Sequence, residues 1–351
     1  MKNENSSILK SEVILDEITK SLSESFDYDF SGESFFEVPN IEVPDTYSIG
    51  LIVGQSGSGK SSILSKMGLI KKHRWNKDRS VCSHFDNAID AQDKFAAVGF
   101  NSVPSWFKPY HVLSTGEKFR VDLARSLENG AIVDEFTSVV DRNVAKSCSN
   151  AVSSYIRRKN LKNIVFASCH YDIIDWLNPD WVFDTETKKT TYRRSDRRPE
   201  IKLELLPCGV EAWTMFSKHH YLTENINKSA KFWICLWESN VVGFGSAIAF
   251  PSGTVKNAYR EHRTVVLPDY QGFGFGVRIS DAIAKIYKSQ GCRYFSKTTH
   301  PRMGGYRNKS PFWKATSKNM KVRKDSSSEN AKWELRQVFS YSHEYIGESH
   351  D

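Results

Sequence analysis

The feature that most constrains the fold is a glycine loop set between an apolar run and a helical pattern. Residues 54–61 read Gly-Gln-Ser-Gly-Ser-Gly-Lys-Ser and match the phosphate-loop pattern G-x-x-x-x-G-K-[ST] at every fixed position. The short apolar run at 47–53 predicts a buried parallel strand, and residues 61–69 predict a helix. A loop in this context directs successive backbone N–H groups at a phosphate. We therefore expect an α/β domain that binds a phosphorylated ligand.

The residue types in the loop predict individual roles. Gly57 and Gly59 let the backbone approach the ligand closely, Lys60 should reach the β- and γ-phosphates, and the Ser61 hydroxyl should ligate Mg²⁺. The residues expected to contact the nucleotide are Gly54, Ser56, Gly57, Ser58, Gly59, Lys60, Ser61 and Ser62.

Two acids end the next apolar strand. Residues 131–135 read Ala-Ile-Val-Asp-Glu, so Asp134 would hold Mg²⁺ through water and Glu135 would polarise the attacking water as general base. A strand that merely ends in solvated acids is the alternative. Further along, His170 follows another short apolar strand at 163–168, where a structural histidine is the alternative to a functional one.

Together with Leu-Ser-Thr-Gly-Glu at 113–117, these segments resemble the nucleotide-binding domain of ABC-type ATPases. The resemblance implies ATP and Mg²⁺ as ligands, and a contact of His170 with the γ-phosphate. It also implies that Ser114 and Gly116 cap the ATP of an opposite subunit, in an ATP-dependent head-to-tail homodimer with residues 138–141 at the dimer contact. An N-cap that serves only its own helix is the alternative for Ser114.

The chain departs from that family in several places. Thr115 replaces a glycine of the signature, and the sixty residues between Gly54 and Ser114 are few, so the helical subdomain should be reduced. No glutamine is identified to complete the Mg²⁺ shell, because no strand is predicted before Gln92. Phe35 or Phe36 would either stack on adenine or belong to the core.

A second glycine loop lies in the other half of the chain. Gln-Gly-Phe-Gly-Phe-Gly at 271–276 fits [QR]-x-x-G-x-[GA], between a predicted strand at 264–267 and a predicted helix at 276–288. It lacks the spacing of the dinucleotide fingerprint. The order strand, Pro-x-Tyr, glycine loop and helix resembles motif A of the GNAT acetyltransferases. A glycine-rich turn before an amphipathic helix is the alternative.

The GNAT resemblance implies acetyl-CoA, or another acyl-CoA, as cofactor. Amides of the loop would cradle its pyrophosphate, the preceding strand would splay and pair with the pantetheine arm, and the Val266 amide would polarise the thioester carbonyl. The expected contact residues are Val265, Val266, Gln271, Gly272, Phe273, Gly274, Phe275 and Gly276.

No motif assigns the residues that act as acid and base in this acyl transfer. Tyr306, after a predicted strand at 292–297, is the expected acid for the leaving thiolate. The other candidates for acid or base are His219, His220, Glu261 and His262.

The two motifs predict the fold class and the domains. We expect an α/β ABC-type P-loop domain with a doubly wound sheet, followed by an α+β GNAT domain. The expected division is a lead-in at 1–30 that is irregular apart from one short helix near 14–22, the ABC-type domain at 31–190, a basic linker at 191–199 and the GNAT domain at 200–351. A loop is expected at 326–328.

The composition of the chain bears on where in the cell the protein is located. No apolar run approaches the roughly 18 residues of a membrane span, the N-terminus lacks an apolar signal core, and the six cysteines form no C-x-x-C pair. A cytoplasmic protein without an integral membrane segment is expected.

Charge is unevenly distributed along the chain. Residues 1–190 carry 23 Lys and Arg against 26 Asp and Glu, whereas residues 191–351 carry 26 Lys and Arg against 15 Asp and Glu. The second half should therefore attract a polyanion, or the phosphates of its own cofactor.

The leading hypothesis is an ATP-gated acyltransferase acting on an amine, with nucleic acid as the expected acceptor. The mixture of bases and aromatics at 300–314 suits nucleic acid, and equally suits a late strand and loop of the fold. The whole chain resembles a prokaryotic and phage group of such fusions, and residues 219–221 faintly resemble Mom-like DNA-modifying acyltransferases. The alternatives are a nucleic-acid-binding ATPase whose GNAT domain only binds, and an ATPase subunit for a membrane partner, which the short helical insert disfavours.

Overall fold

The chain folds into two compact units. In this computed structural model, residues 7–193, 198–220, 224–251, 255–322 and 339–347 are described. The first unit comprises the chain up to residue 100 and residues 106–199, and the second comprises residues 101–105 and 200 onward.

The strands of the described residues are β1 (Ser7–Glu12), β2 (Glu33–Val38), β3 (Ile49–Val53), β4 (Ile132–Val133), β5 (Ile164–Ser168), β6 (Trp181–Asp184), β7 (Lys189–Tyr192), β8 (Glu204–Cys208), β9 (Lys231–Trp237), β10 (Asn240–Ala249), β11 (Ala258–Val266), β12 (Arg293–Thr298), β13 (Trp313–Ala315), β14 (Lys321–Val322) and β15 (Phe339–Tyr345). The α-helices are α1 (Glu17–Ser25), α2 (Lys60–Met67), α3 (Ala88–Ala97), α4 (Val103–Trp106), α5 (Thr115–Ser126), α6 (Arg142–Arg158), α7 (Ile174–Leu177), α8 (Phe275–Ser289) and α9 (Pro301–Lys309).

A five-stranded sheet forms the centre of the first unit. Its order is β4-β5-β3-β6-β7, in which all pairs are parallel except β6 with β7. Every residue of β3 and β5 is buried, which explains their continuous apolar sequences. One face of the sheet packs on residues of α3, α5 and α6, and the other on α2. The predicted α/β arrangement with helices on both faces is confirmed.

The N-terminal segment is more regular than the sequence indicated. β1 pairs with β2 in antiparallel register from Ser7↔Val38 to Glu12↔Glu33. Between these strands, Asp16 caps α1 by accepting a hydrogen bond from the Thr19 N–H at 2.8 Å. The expected helix is present, but the expectation of an otherwise irregular lead-in is wrong, because β2 supplies a partner strand from 20 residues downstream.

The end of the first unit also differs from expectation. A basic linker was expected at 191–199, but residues 191 and 192 belong to β7, which pairs with β6 from Trp181↔Tyr192 to Asp184↔Lys189. An edge strand in antiparallel pairing needs no apolar face, so a charged, polar sequence can form it.

The second unit is built on an eight-stranded sheet. Its order is β13-β15-β12-β11-β10-β9-β8, with β14 added to β15, and β11–β12 is its parallel pair. The sequence predicts two strands joined by a turn at 238–240, and β9 and β10 are joined there, with Glu238 and Ser239 both at positive φ as a two-residue hairpin loop requires. α8 packs against the sheet with Phe275, Ile279 and Ile283 fully buried. A mainly antiparallel sheet with helices confirms the α+β expectation.

Two expectations for the second unit need adjustment. The strand expected at 264–267 is the end of the much longer β11, and residues 301–309 form α9 instead of a strand or loop. The loop expected at 326–328 lies outside the described residues. In the described part of the chain, no helix is both long enough and apolar enough to cross a membrane.

Candidate functional site

The first glycine loop joins β3 to α2. Gly57 and Gly59 have φ of +79° and +84°, and Gly59 is the residue from which α2 begins. These are left-handed conformations, so the glycines are required by the path of the backbone. Lys60 Nζ donates to the carbonyl oxygens of Gly54 and Gln55, at 2.8 and 2.5 Å. The loop is therefore wound around its own lysine, next to the N-terminus of α2.

An aromatic ring covers this loop. A Cβ on Gly59 would lie 1.9 Å from Cζ of Phe36, so the ring of Phe36 packs directly on the glycine. Phe36 also contacts the core beneath α2, whereas Phe35 is 63% exposed. Of the two candidates for an adenine contact, the structure brings Phe36 to the loop.

Thr185 is a loop partner that the sequence did not reveal. It follows β6, and its hydroxyl donates to Ser58 Oγ at 2.8 Å. A Cβ on Gly54 would lie 1.8 Å from Thr185 Oγ1, which explains why that position is glycine. In the sequence, the one feature that could have indicated this contact is a polar residue directly after a buried parallel strand.

The predicted acids and histidine gather at one sheet edge with the loop. β4, β5 and β3 are adjacent and parallel, so the residues that follow them (Asp134 and Glu135, His170, and Gly54) lie at the same carboxyl end. Asp134 Oδ1 accepts from the Glu135 N–H at 2.8 Å. Glu135 is exposed, with φ of +50°.

His170 is held by main-chain and side-chain contacts. Its Nδ1 lies 3.1 Å from Thr137 Oγ1, and its N–H donates to Ser168 Oγ at 3.0 Å. Burial, assisted by the charge of Arg142, lowers the pKa of His170 below its ordinary value. The imidazole is therefore neutral at pH 7 and can donate or accept one hydrogen bond at each nitrogen.

Ser114 caps its own helix. Its hydroxyl accepts from the Glu117 N–H at 3.3 Å, while the Ser114 N–H donates to Glu117 Oε2 at 3.0 Å, which completes a capping box for α5. Gly116 lies in the first turn of α5. A Cβ added at this position would lie 3.7 Å from Val140 Cγ1, which is ordinary van der Waals contact.

The second glycine loop joins β11 to α8. Phe273 and Phe275 are both buried against Trp237. The centroids of their rings lie 5.0 and 5.6 Å, respectively, from the centroid of the Trp237 ring. Gly274, at φ of +78°, precedes the 15-residue α8 without a side-chain cap, and a Cβ there would meet no atom within 4 Å. The two buried rings anchor the loop, and the space beside Gly274 is open where α8 begins, at the end of a helix whose first N–H groups lack intrahelical partners.

The strand before this loop diverges from its parallel neighbour. β11 pairs with β12 only from Ala258↔Arg293 to Arg260↔Phe295, although β11 continues to Val266. On its other side, the Leu267 N–H donates to Val242 O next to the Gly243↔Val266 pair. In antiparallel geometry that makes Gly243↔Val266 a non-hydrogen-bonded pair, so the Val266 N–H points away from β10.

Gln271 fixes the end of the same strand. Its Nε2 donates to Val266 O at 2.9 Å, which occupies the carbonyl of Val266 and leaves the amide of that residue for another partner. Val265 points the opposite way, and its buried side chain lies in the core with Phe244.

A buried ion pair occupies the fork between β11 and β12. Arg307 Nη2 lies 2.7 Å from Glu261 Oε2, and Glu261 also accepts from Ser296 and Thr264, each at 2.7 Å. Burial alone would raise the pKa of Glu261, but the Arg307 charge and these hydroxyl donors hold it below its ordinary value. Sequence reasoning named Glu261 as a candidate base and did not identify Arg307.

Tyr306 is bound to a carboxylate on the neighbouring helix. Its hydroxyl donates to Asp281 Oδ2, and Trp313 Nε1 donates to the other oxygen of Asp281 at 2.8 Å. Burial, with Asp281 beside it, raises the pKa of Tyr306 to about 12. Closer to the loop, α9 presents Met303, whose Cε lies 3.8 Å from an ideal Cβ on Gly276.

The candidate histidines are dispersed. His262 Nε2 accepts from the Asn227 N–H at 3.2 Å, and burial with Arg263 and Arg260 nearby lowers its pKa to about 4. Burial also lowers the pKa of His219, and His220 contacts the Trp213 ring edge-on at 5.9 Å. Tyr221 lies outside the described residues.

Within the described ranges, no three His, Cys, Asp or Glu side chains are grouped as a metal site. Ser61 and Asp134 remain the side chains predicted to hold Mg²⁺, an ion that usually takes few protein ligands together with water and substrate phosphates.

Comparison with known families identifies one part of the chain. Residues 171–305 match the model of the acetyltransferase (GNAT) family, so the chain contains a GNAT acetyltransferase domain. The match includes both glycine-loop flanks, β11 and α8, and ends within α9. No curated protein matches the chain.

Several solved structures are similar to parts of the chain. An acetyltransferase from Bacillus subtilis in complex with CoA is 11% identical over 42% of this chain and 99% of its own, with a TM-score of 0.30. An IAA acetyltransferase from Bacillus cereus is 10% identical over 41% and 99%, with a TM-score of 0.30. A dimeric ATP-binding cassette with ADP and phosphate is 12% identical over 48% and 94%, with a TM-score of 0.37. At these values the likeness supports no conclusion about activity.

Proposed function

We propose that this chain joins an ABC-type ATP-binding and ATP-hydrolysing domain to an acyl-CoA-dependent N-acyltransferase domain. The observation that carries the proposal is the second glycine loop. It leaves open space beside Gly274 at the start of α8, next to the end of β11 that β12 does not pair with. A diphosphate needs the first of these features and a peptide-like pantetheine arm needs the second.

The residues of the second unit fit an acyl-CoA. The loop glycines, Gly272 and Gly274, have positive φ, which a main-chain phosphate cradle requires. When bound, acetyl-CoA or another acyl-CoA supplies the acyl group as a thioester. The Val266 N–H, turned away from β10, would donate to the thioester carbonyl oxygen and stabilise the charge that develops there.

Proton transfer requires two further groups. We assign the acid to Tyr306, whose raised pKa keeps its hydroxyl protonated at neutral pH. Glu261 is a poor base, because Ser296, Thr264 and Arg307 already occupy its carboxylate. His262 is a poor base as well, because its Nε2 already accepts from the Asn227 N–H and its pKa is lowered to about 4. The imidazole of His219 is the better candidate for removing the amine proton.

The first unit would bind Mg²⁺–ATP at the carboxyl edge of its sheet. Lys60 would exchange its contacts with Gly54 and Gln55 for the β- and γ-phosphates, and Ser61 and Asp134 would hold the metal ion. Glu135 is proposed as the general base and His170 as a γ-phosphate contact.

Hydrolysis would also need a second copy of the chain. Ser114 and Gly116 would contact the ATP of the opposite subunit in a head-to-tail dimer. The N-terminus of α5 suits that anion, since its partial positive charge lies at the capping residue.

For the acceptor we propose an amine in nucleic acid. The excess of Lys and Arg over Asp and Glu in residues 191–351 favours a polyanion, and a DNA-modifying enzyme of phage type is the specific form of this proposal. A GNAT domain that only binds its ligands is the second candidate, favoured by the hydrogen bond that the Tyr306 hydroxyl already donates to the Asp281 carboxylate.

The two candidates are separated by a transfer assay. Protein with Mg²⁺–ATP and acetyl-labelled acetyl-CoA is mixed with DNA, RNA or polyamines, and label is measured in each acceptor. Label in DNA or RNA, lost in Gly274→Val and retained in Gly291→Val, supports N-acyl transfer to nucleic acid. Label in polyamine alone contradicts the acceptor, and tight acetyl-CoA binding with no labelled product supports the binding module.

A further inference from the structure

We infer that the first unit carries a separate surface for the phosphate backbone of nucleic acid, formed by Lys72, Arg74, Lys77, Arg79 and Lys108. This basic surface is independent of acyl transfer and of the glycine loops.

The charge is concentrated in one short segment. Residues 71–79 contain five Lys and Arg and one Asp, whereas residues 1–190 as a whole carry more acids than bases. Lys72, Arg74, Lys77 and Arg79 are all exposed. Lys71 pairs with Glu128, but across the described ranges no carboxylate lies within 4.0 Å of the charged groups of the other four. The segment therefore holds cations that the protein does not neutralise.

An aromatic stack fixes the middle of the segment. The rings of Trp75 and Tyr110 are parallel, with centroids 4.9 Å apart, and Trp75 Nε1 and the Tyr110 hydroxyl both donate to Asp122, at 2.7 and 2.6 Å. The Arg125 guanidinium lies 4.7 Å from the Trp75 ring, and it donates to Arg74 O at 2.9 Å. The backbone that carries the cations is thus held at Arg74 and at Trp75.

A neighbouring segment extends the surface. Ser80 and Pro109 form an antiparallel β-bridge, and the Val81 N–H donates to Lys108 O at 2.9 Å, so Lys108 lies opposite Val81, two residues along from Arg79. Phe107 next to it is 68% exposed and offers a ring on which a base could stack. Cations on two fixed, adjacent segments match a ligand with regularly repeated phosphates.

Neighbouring cations that no carboxylate neutralises repel one another, and a bound polyanion relieves this repulsion. Binding also releases counterions condensed on the polyanion, which favours the complex. Contacts of this kind position nucleic acid without reading its sequence. A surface that tracks the backbone would let the ATPase unit hold nucleic acid by itself.

The test measures affinity for a fluorescent 20-base-pair duplex by anisotropy over a series of salt concentrations. Lys72→Gln/Lys77→Gln is compared with Lys20→Gln/Lys189→Gln, which removes two exposed cations elsewhere in the same unit. The slope of log K against log salt should fall by about 1.8 in the first variant, at about 0.9 per phosphate contact. The control should keep the wild-type slope.

Lys108→Gln alone should reduce the slope by about 0.9, which tests whether the second segment belongs to the same surface. Circular dichroism verifies that each variant is folded. Equal slopes in the two double variants would overturn the inference. So would a loss of binding to vesicles of anionic phospholipid with duplex binding unchanged, because that result would assign the surface to a membrane.

Discussion

Arg307 and Glu261 form a buried ion pair at the point where the two parallel strands of the second unit separate. Pairing of β11 with β12 ends at Arg260↔Phe295, and Glu261 is the next residue of β11. The Arg307 guanidinium is fully buried, donates to Ser280 Oγ at 2.7 Å and lies 4.6 Å from the Trp313 ring. The pair therefore connects α8 and α9 to the fork in the sheet.

Removing one member of this pair should be strongly destabilising. Arg307→Met leaves the Glu261 carboxylate buried without its cation, so we expect the free energy of unfolding to fall by about 3–5 kcal/mol. Glu261→Gln/Arg307→Met removes both charges and should cost less than the single change. Urea unfolding of all variants measures the difference, with Lys309→Ala, an exposed change on the same helix, as control. Equal losses for Arg307→Met and Lys309→Ala would refute a structural role for the pair.

Substitution of Gly274 should weaken acyl-CoA binding specifically. Both Gly274 and Gly291 have φ near +75° (+78° and +74°), and a Cβ at either would meet no atom within 4 Å. Each change to Val therefore carries a similar backbone strain, but only Gly274 lies at the N-terminus of α8, where the added side chain would block the amides. We expect at least about tenfold weaker binding of acetyl-CoA by Gly274→Val, an effect of about 1.4 kcal/mol or more.

Isothermal titration calorimetry with acetyl-CoA measures both affinities, and Gly291→Val serves as the matched control. If the two variants bind acetyl-CoA equally well, the loop at 271–276 is not the cofactor cradle.

The parts of the fold that sequence predicted are those with local causes. Glycines at 57, 59 and 274 are required by left-handed backbone at the positions where the motifs place them. The turn at 238–239 and the buried strands β3 and β5 likewise follow from short-range pattern. These elements needed no knowledge of distant neighbours.

The parts that sequence missed depend on distant partners. β1 needs β2, and β7 is a four-residue edge strand, too short for its Thr and Tyr residues to predict it without its partner β6. Thr185 reaches Ser58 from 127 residues away, and Arg307 reaches Glu261 across 46. In the mixed stretch at 300–314, charge and aromaticity suggested a surface, yet Arg307 and Trp313 are buried there. Only the packed structure distinguishes a buried arginine from a solvated one.

Glu135→Gln should trap a dimer in the presence of ATP and Mg²⁺. The amide keeps the size of the exposed Glu135 side chain but cannot act as a base, so bound ATP should persist and hold two copies together. Size-exclusion chromatography with light scattering should report about twice the monomer mass. Glu186→Gln, at another exposed acid beyond the same sheet, is the matched control and should remain monomeric under turnover. Monomeric Glu135→Gln that retains ATP would contradict the head-to-tail dimer.

Acid should destabilise the second unit in part through His343. This imidazole is fully buried, with Nε2 2.7 Å from Asn308 Oδ1, and burial together with the Arg307 charge lowers its pKa to about 4. The unfolded chain, with a histidine pKa of about 6.5, binds the proton first as the pH falls. The contribution of this group to the free energy of unfolding is therefore complete above about pH 6.5. It decreases down to about pH 4, by at most about 1.4 kcal/mol per pH unit.

His343→Gln removes the titration while keeping a donor for Asn308. Urea unfolding between pH 7.5 and 4 should then give a shallower pH dependence for His343→Gln than for the wild-type chain, and parallel curves would show that His343 does not contribute.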